Sequence, residues 1–461
     1  MSDDSFDCVI IGAGMSGLAA GIRLAMYNNK VCILESHSIE GGLNSYYQRK
    51  GFKLDVGLHA LTNFAPKGNK KGPLGKLLKQ LRIPYDLFHL KQQIQSRVAF
   101  SDCSLKFTNE LDILISEVEE NFPSEKENFL RLVKHIQDFN ELDYDNKYIS
   151  AKEVVSNFIK DPLLNEMIFC PVLIYGSAWE NDMDFSQFVI MFKSIFLEGF
   201  SRPQGGVRTI LNLLLERFKE LGGEIRFRSA VEEIKVEGNK AIGVILKSGH
   251  FIRTNKILSS AGLVETQSLL GRENNPEHVG KMAFTESIVL LDKKPCEFGV
   301  EDTIIFYNQG TKYNYSCPST LYDKSSAVLC LSNNFLEDDE QQGIYRVTNM
   351  ANFEMWNQLE RAHYREEKNK VLLNAKDTIK RFIPLFEGKE LLNDVFTPKT
   401  VKRFTRHENG CVYGSPVKIK NGKTDIDNLF LCGTDQGFLG VVGAMLSGIS
   451  MANLHVLMGG R

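Results

Sequence analysis

The chain has no cysteine pair of the CxxC kind; its nine cysteines stand at 8, 32, 103, 170, 296, 317, 330, 411 and 432. An odd number without metal-ligand spacing excludes a disulfide framework and a zinc site. It predicts reduced, mostly buried thiols in a cytoplasmic protein. An excess of either charge is also missing: 55 Lys and Arg face 57 Asp and Glu, a net charge of −2. Without a basic face or stripe, nothing points to nucleic acid. No apolar run reaches the roughly 20 residues of a spanning helix. The nearest, GFLGVVGAMLSGISM at 437–451, is shorter and rich in glycine, and reads as a buried helix with small residues for close packing. The start, MSDDSFD, is acidic where a secretory leader is basic and then apolar, so no leader is expected. Internal repeats and low-complexity linkers are absent too.

What is present begins at residue 6, with FDCVIIGAGMSGLAAGIRLA. DCVIIG is a continuous apolar run, suited to a parallel strand buried on both faces. After it, Leu18, Ile22, Ala25 and Met26 recur at helical spacing, and KVCILE is a second strand ending on Glu35. This is one βαβ unit. Between strand and helix, Gly12 permits the tight turn and Gly14 lets a pyrophosphate approach the backbone. Gly17 lets the helix pack closely on the strand. A pyrophosphate would sit at the helix start, against free N–H groups and the positive dipole end. Glu35 lies where a carboxylate accepts hydrogen bonds from ribose hydroxyls and disfavours a 2′-phosphate, which suits FAD or NAD over NADP.

A chain of 461 residues has room for two to four domains' worth of sequence. From about 75 to 200 the pattern is mostly helical; near 203 it changes to helix, strand, hairpin and strand. Short β-like runs recur from 285 to 335 (ESIVLLD, TIIFY, SAVLCLS), and 353–383 reads as one charged helix with a solvated face. At 68–83, Lys70, Lys71, Lys76, Lys79 and Arg82 surround Leu74, Leu77, Leu78 and Leu81. Such a basic amphipathic helix is a candidate for peripheral membrane contact, or a surface helix with one face packed.

Four blocks carry a resemblance. ESHSIEGGLNS, GFKLDVGLHALT, RPQGGVRTILNLLLERFKELGGEIRFRSAVEEI and NLFLCGTDQGFLGVVGAMLSGISMANLHV occur in that order. Together with the opening motif they resemble the FAD-dependent phytoene desaturase, carotenoid isomerase and retinol saturase family, within the amine oxidase superfamily of flavoproteins. Many members have an arginine after the glycine pair where this chain has Leu43. The resemblance implies an α/β fold: an FAD-binding Rossmann-like domain of glutathione-reductase type, with a discontinuous mixed α+β substrate domain. The FAD-binding domain would comprise 1–75, 200–275 and 400–461, and the substrate domain 76–199 and 276–399.

The resemblance also implies noncovalent FAD and a set of residues around it: Gly12, Gly14, Met15, Ser16, Gly17, Glu35, Gly41, Gly42, Leu43, Asn44, Gly57, Leu58 and His59 from the amino-terminal blocks, and Val231 beside the adenine. Gly433 and Asp435 would meet the ribityl–pyrophosphate region, and Val442, Gly443 and Ala444 would open the helix under the ring. His59 is the candidate catalytic residue, as an acid or to orient substrate; the bland alternative is a hydrogen-bonded histidine packed at the cofactor. His407 is a weaker candidate for the same cavity. Tyr46 and Tyr47 either line the substrate side or pack the sheet. Phe, Ile, Met, Tyr and Trp residues at 166–200 are tunnel material for an apolar small-molecule substrate, though each alone is equally helix core. The implied chemistry is desaturation, saturation or isomerisation of carbon–carbon double bonds in an isoprenoid or polyene. Two other readings stay open: an amine-oxidase-like enzyme acting on C–N bonds, and a partner protein holding a structural flavin.

Overall fold

Ser5–Ile11 is strand because its inner residues are apolar and both faces are covered: Cys8, Val9 and Ile10 have no exposed surface. A computed structural model describes residues 4–143, 145–338, 340–384 and 388–459; the first three residues of the acidic start lie outside them. Ser5–Ile11 pairs in parallel with Val31–Leu34 on one side and Phe251–Ser259 on the other. Helix Met15–Ala25 makes the crossover to Val31–Leu34. Glu224–Arg226 extends the sheet at one edge, in parallel with Val31–Leu34. At the other edge Phe251–Ser259 also takes Leu429–Leu431 in parallel and the antiparallel hairpin Val231–Glu237/Lys240–Leu246. All seven strands of this sheet come from 1–75, 200–275 and 400–461.

A second seven-stranded sheet runs in the order Glu390–Phe396, Ala283–Leu291, Gly343–Ala351, Ser326–Leu331, Asp302–Asn308, Gln95–Ala99, Ser104–Phe107. Its pairs are antiparallel except that Asp302–Asn308 meets Gln95–Ala99 in parallel. Gln95–Ala99 and Ser104–Phe107 correct the expectation of an essentially helical stretch from 75 to 200. The segment is too short and too polar to read as a hairpin, and its first strand, Gln95–Ala99, finds its second partner about two hundred residues away. The charged helix expected over 353–383 is two helices, Phe353–Gln358 and Arg361–Lys380. Asn352 caps the first by accepting from the Met355 N–H at 3.1 Å. The second helix is not wholly solvated, since its Val371, Ala375 and Ile379 are buried against the second sheet.

The basic amphipathic helix is shorter than expected, Pro73–Leu81, and its apolar face is already used. Leu74, Leu77, Leu78 and Leu81 are buried in the core beneath the cofactor sheet, with Met445 and Ile449. Burial of each contributes about 1.5–3 kcal/mol. This is the arrangement of a surface helix with one face packed. The apolar run near the carboxyl end forms helix Gly440–Met451, continued by Ala452–Leu457. It is long and apolar enough to cross a membrane, yet 56% of that window is buried inside the protein. It lies on Met15–Ala25 with small residues at the crossing. A Cβ on Gly448 would stand 2.0 Å from the Ser16 carbonyl oxygen.

Candidate functional site

The turn after the first strand is built by close approach. Gly12 has φ +98°, and a Cβ there would meet Ser260 Oγ at 2.6 Å. A Cβ on Gly17 would stand 2.1 Å from the Gly12 carbonyl oxygen, so Gly17 seats the helix on the turn. Gly14 differs. Its backbone is extended (φ −71°, ψ 177°), and no atom lies within 4 Å of where its Cβ would be. It forms a parallel bridge with Gly41, and Gly42 follows beside it. The open space is a cavity of about 360 Å³, lined by Gly12, Gly14, Met15, Ser16, Glu35 and Gly41 through Asn44, with Val231 and Ala261 farther along. Met15, Ser16 and Gly17 carry the helix-start N–H groups that lack partners within the helix. Glu35 is fixed at the end of its strand: Oε2 accepts from the Ala13 N–H at 2.8 Å and Oε1 from the His37 N–H at 2.7 Å. Bare backbone, a helix start and a fixed carboxylate in one elongated cavity fit the pyrophosphate and ribose of a dinucleotide.

The carboxyl-terminal residues divide. Ala444 lines this cavity, and so does Asp435, but the Asp435 carboxylate is engaged within the protein. It accepts from the Leu263 N–H at 2.6 Å and the Ser415 N–H at 2.8 Å, and Lys418 Nζ lies 3.3 Å away. Burial pushes the Lys418 pKa down. Asp435 thus ties three loops together at the wall of this cavity. Gly433, Val442 and Gly443 do not line the cavities described here. The Gly433 N–H donates to Ser447 Oγ at 2.7 Å, Val442 is fully buried, and Gly443 packs on Phe438. His407 stands at this nucleotide end, its Nδ1 3.5 Å from Glu265 Oε1. Burial lowers its pKa, but Glu265 outweighs this and the net direction is upward.

A second cavity of about 230 Å³ continues from the first, with Leu43, Asn44, Thr434 and Ala444 in the walls of both. A Cβ on Gly57 would stand 2.4 Å from the Leu43 carbonyl oxygen, which closes the turn beside it. Leu58 and His59 follow in the wall. Ile174, Tyr175, Met191, Phe284 and Tyr413 make the cavity apolar. Of the aromatic and aliphatic residues at 166–200, Ile174, Tyr175 and Met191 face it; most of the others, Phe169, Phe188 and Phe192 among them, are core.

His59 does not stand alone. Its Nε2 lies 2.9 Å from Glu286 Oε1 and 3.3 Å from the Thr348 hydroxyl, which also donates to Glu286. Arg346 Nε donates to the same Glu286 oxygen at 2.5 Å. Its Nη1 donates to the Leu58 carbonyl at 3.1 Å and its Nη2 to the Val56 carbonyl. The two strands set this up by register, with Glu286 opposite Thr348 and Ile288 opposite Arg346. Burial alone would raise the Glu286 pKa; Arg346, then His59 and Thr348, reverse this and hold it at about 2. The result is a buried carboxylate that orients the His59 imidazole. Tyr175 lies with its ring 6.4 Å from that of His59, and its hydroxyl has no hydrogen-bond partner among the described residues. Glu286, Arg346 and Thr348 were missed in the sequence. The available signal was a glutamate and an arginine inside otherwise apolar runs, ESIVLLD and IYRVTNM.

A family model described as flavin-containing amine oxidoreductase matches residues 15–454. Prolycopene isomerase 2, chloroplastic, of an Oncidium hybrid cultivar is 25% identical over 98% of this chain and 84% of its own length. All-trans-retinol 13,14-reductase of Danio rerio is 20% identical over 98% of this chain and 87% of its own length. Among solved structures, an oxidoreductase from Methanosarcina mazei superposes with TM-score 0.67 at 15% identity, covering 97% of this chain and 99% of its own.

Proposed function

The chain belongs to the flavin-containing amine oxidoreductase family, and from that membership we propose that it is an FAD-dependent oxidoreductase acting on carbon–carbon double bonds of an apolar isoprenoid or polyene, by desaturation, saturation or isomerisation. When bound, the flavin supplies two-electron chemistry at its ring; the chain binds, orients and excludes water. Gly14 and the helix start at Met15–Gly17 hold the pyrophosphate, Glu35 the ribose, and the strand at Val231 the adenine. Leu43, Asn44 and Ala444, shared by both cavities, take the join between nucleotide and ring. The flavin is held without a covalent bond: Cys432, the thiol in this wall, is buried and its pKa is pushed up to about 12. Two domains follow, FAD-binding from 1–75, 200–275 and 400–461 and substrate-binding from 76–199 and 276–399. The separation of the two sheets along these stretches supports that division. All nine cysteines are unpaired, which fits a reducing compartment.

One observation carries the reading of the site: an apolar cavity beside the cofactor groove that contains one oriented imidazole. His59, its Nε2 held by Glu286 and Thr348, is oriented so that its other ring nitrogen can pass a proton to, or take one from, a substrate carbon. The full-length similarity to the Oncidium and Danio proteins supports a polyene substrate. The test is anaerobic: FAD-loaded protein, oxidised or chemically reduced, is mixed with prolycopene or all-trans-retinol, and flavin absorbance and products are followed. Conversion of one polyene, reduced about 10²–10⁴-fold in His59→Gln with FAD still bound, is the expected result. Peroxide release with an amine, and no response to either polyene, would favour C–N chemistry instead. A flavin spectrum that answers to neither reductant nor substrate would mean a structural flavin.

A further inference from the structure

A third cavity, of about 790 Å³, lies on the far side of Leu43 and exceeds the other two in volume. Its interior is apolar, with Ile39, Tyr46, Tyr47, Val395, Phe396 and Phe404 in its walls. Leu43, Val56, Phe396 and Val401 also line the cavity that holds His59, and Glu35, Gly42, Leu43, Phe404 and Thr405 also line the nucleotide cavity. A chamber of this size and polarity is in the range of small-molecule sites.

Its charged residues are unbalanced. Arg49, Lys53, Arg208 and Lys368 line it, against Glu35 and Asp394. Both carboxylates are already engaged. Asp394 pairs with Arg49 at 2.5 Å and accepts from the Tyr47 hydroxyl at 3.1 Å; Glu35 is bonded to backbone N–H groups. Arg208 donates to the Tyr47 and Leu54 carbonyls at 2.7 and 3.4 Å and lies over the Tyr46 ring at 4.5 Å. Among the described residues no carboxylate comes within ion-pair distance of it, with Asp55 and Glu340 acting only from farther off. Burial pushes its pKa down, the direction expected of a cation short of counter-charge. Lys368, in the same wall set as the Tyr46–Arg49 strand, lies over the Tyr364 ring at 5.9 Å. An apolar chamber with surplus positive charge at its mouth has the polarity of one ligand type.

We propose that this chamber binds a free amphiphile, a long apolar chain ending in a carboxylate or phosphate, with its anionic end held by Arg208, Lys53 and Lys368 and its tail directed past Leu43 towards His59. The site goes beyond the polyene reading and rests on it only for what becomes of the tail.

The test uses the FAD-loaded full chain and two fluorescent probes, cis-parinaric acid and its methyl ester. The acid is expected to bind saturably and at least tenfold more tightly than the ester, a difference of 1.4 kcal/mol. Arg208→Gln and the double variant Lys53→Gln/Lys368→Gln are each expected to bring the acid down to the ester's affinity. Arg208→Lys retains the preference in part, and the double variant alters no hydrogen bond of the fold. Ile39→Trp, which fills the chamber, should weaken acid and ester alike. Equal affinity for both probes, or an unchanged preference in the double variant, would overturn the proposal. So would flotation of the protein with phosphatidylserine vesicles combined with no preference for the acid, because the basic mouth would then serve a membrane surface. The fluorescence reads binding without turnover. Failure to convert any polyene therefore leaves this result intact, and the converse also holds.

Discussion

Replacing Glu286 by Gln removes a single charge and keeps the side chain's size. In the native protein that charge faces Arg346, whose side chain is 3% exposed, and His59 in the same apolar wall. The variant leaves the guanidinium buried without its counter-ion, which costs about 3–5 kcal/mol. The pKa gives an independent figure: a drop from 4.5 to about 2 corresponds to about 3 kcal/mol of preference for the charged form in the folded protein. The assay is urea unfolding followed by tryptophan fluorescence. Glu286→Gln/Arg346→Met should cost clearly less than the sum of the single variants, by at least about 2 kcal/mol, because no orphan charge remains. Some loss persists in the double variant. The Val56 carbonyl loses a donor, whereas that of Leu58 keeps Arg202 at 3.0 Å. The sign with pH follows from a depressed carboxyl pKa. Its stabilisation is present above the unfolded value near 4.5 and fades as pH falls towards 2, so wild type and Glu286→Gln converge in acid. Additivity of the two single variants within about 0.5 kcal/mol would refute the coupled buried pair.

Gly14→Ala places a methyl group in open space at an allowed backbone conformation, so unfolding free energy should stay within about 0.5 kcal/mol while FAD affinity, read by flavin fluorescence titration, falls at least about tenfold. Gly448→Ala should cost about 1–3 kcal/mol in urea, because its Cβ would lie 2.0 Å from the Ser16 carbonyl and the two helices must separate. Leu77→Ala should cost about 2–5 kcal/mol and leave flotation with anionic vesicles unchanged, since Leu77 is a core residue. A vesicle defect in that variant without loss of stability would restore the membrane role.

The opening strand, the glycine turn, the helix and Glu35 were legible in the sequence because they are neighbours along it. A βαβ unit of some thirty residues carries its own geometry, and the spacing of Gly12, Gly14 and Gly17 states where the backbone must be bare. At Asp435 the turn was recognisable, but the bonds its carboxylate makes to Leu263, Ser415 and Lys418 from other segments were not. At Pro73–Leu81 the basic amphipathic pattern was plain and a packed face was one of its two readings, but the surface that covers its leucines was not legible.

What only the tertiary structure decided is the partner of His59 and the shape of the space around it. Glu286 is 227 residues away, and its place opposite Thr348 and near Arg346 depends on strand register. A slip of one residue in that pairing would put Glu286 and the other two on opposite faces. The large chamber likewise exists only where the Tyr46–Asp55 hairpin, the strand ending at Phe396 and the helix Pro398–Thr405 meet. Local pattern determines which residues can form a turn or a face. Which charges end up sharing one buried wall is set by long-range pairing.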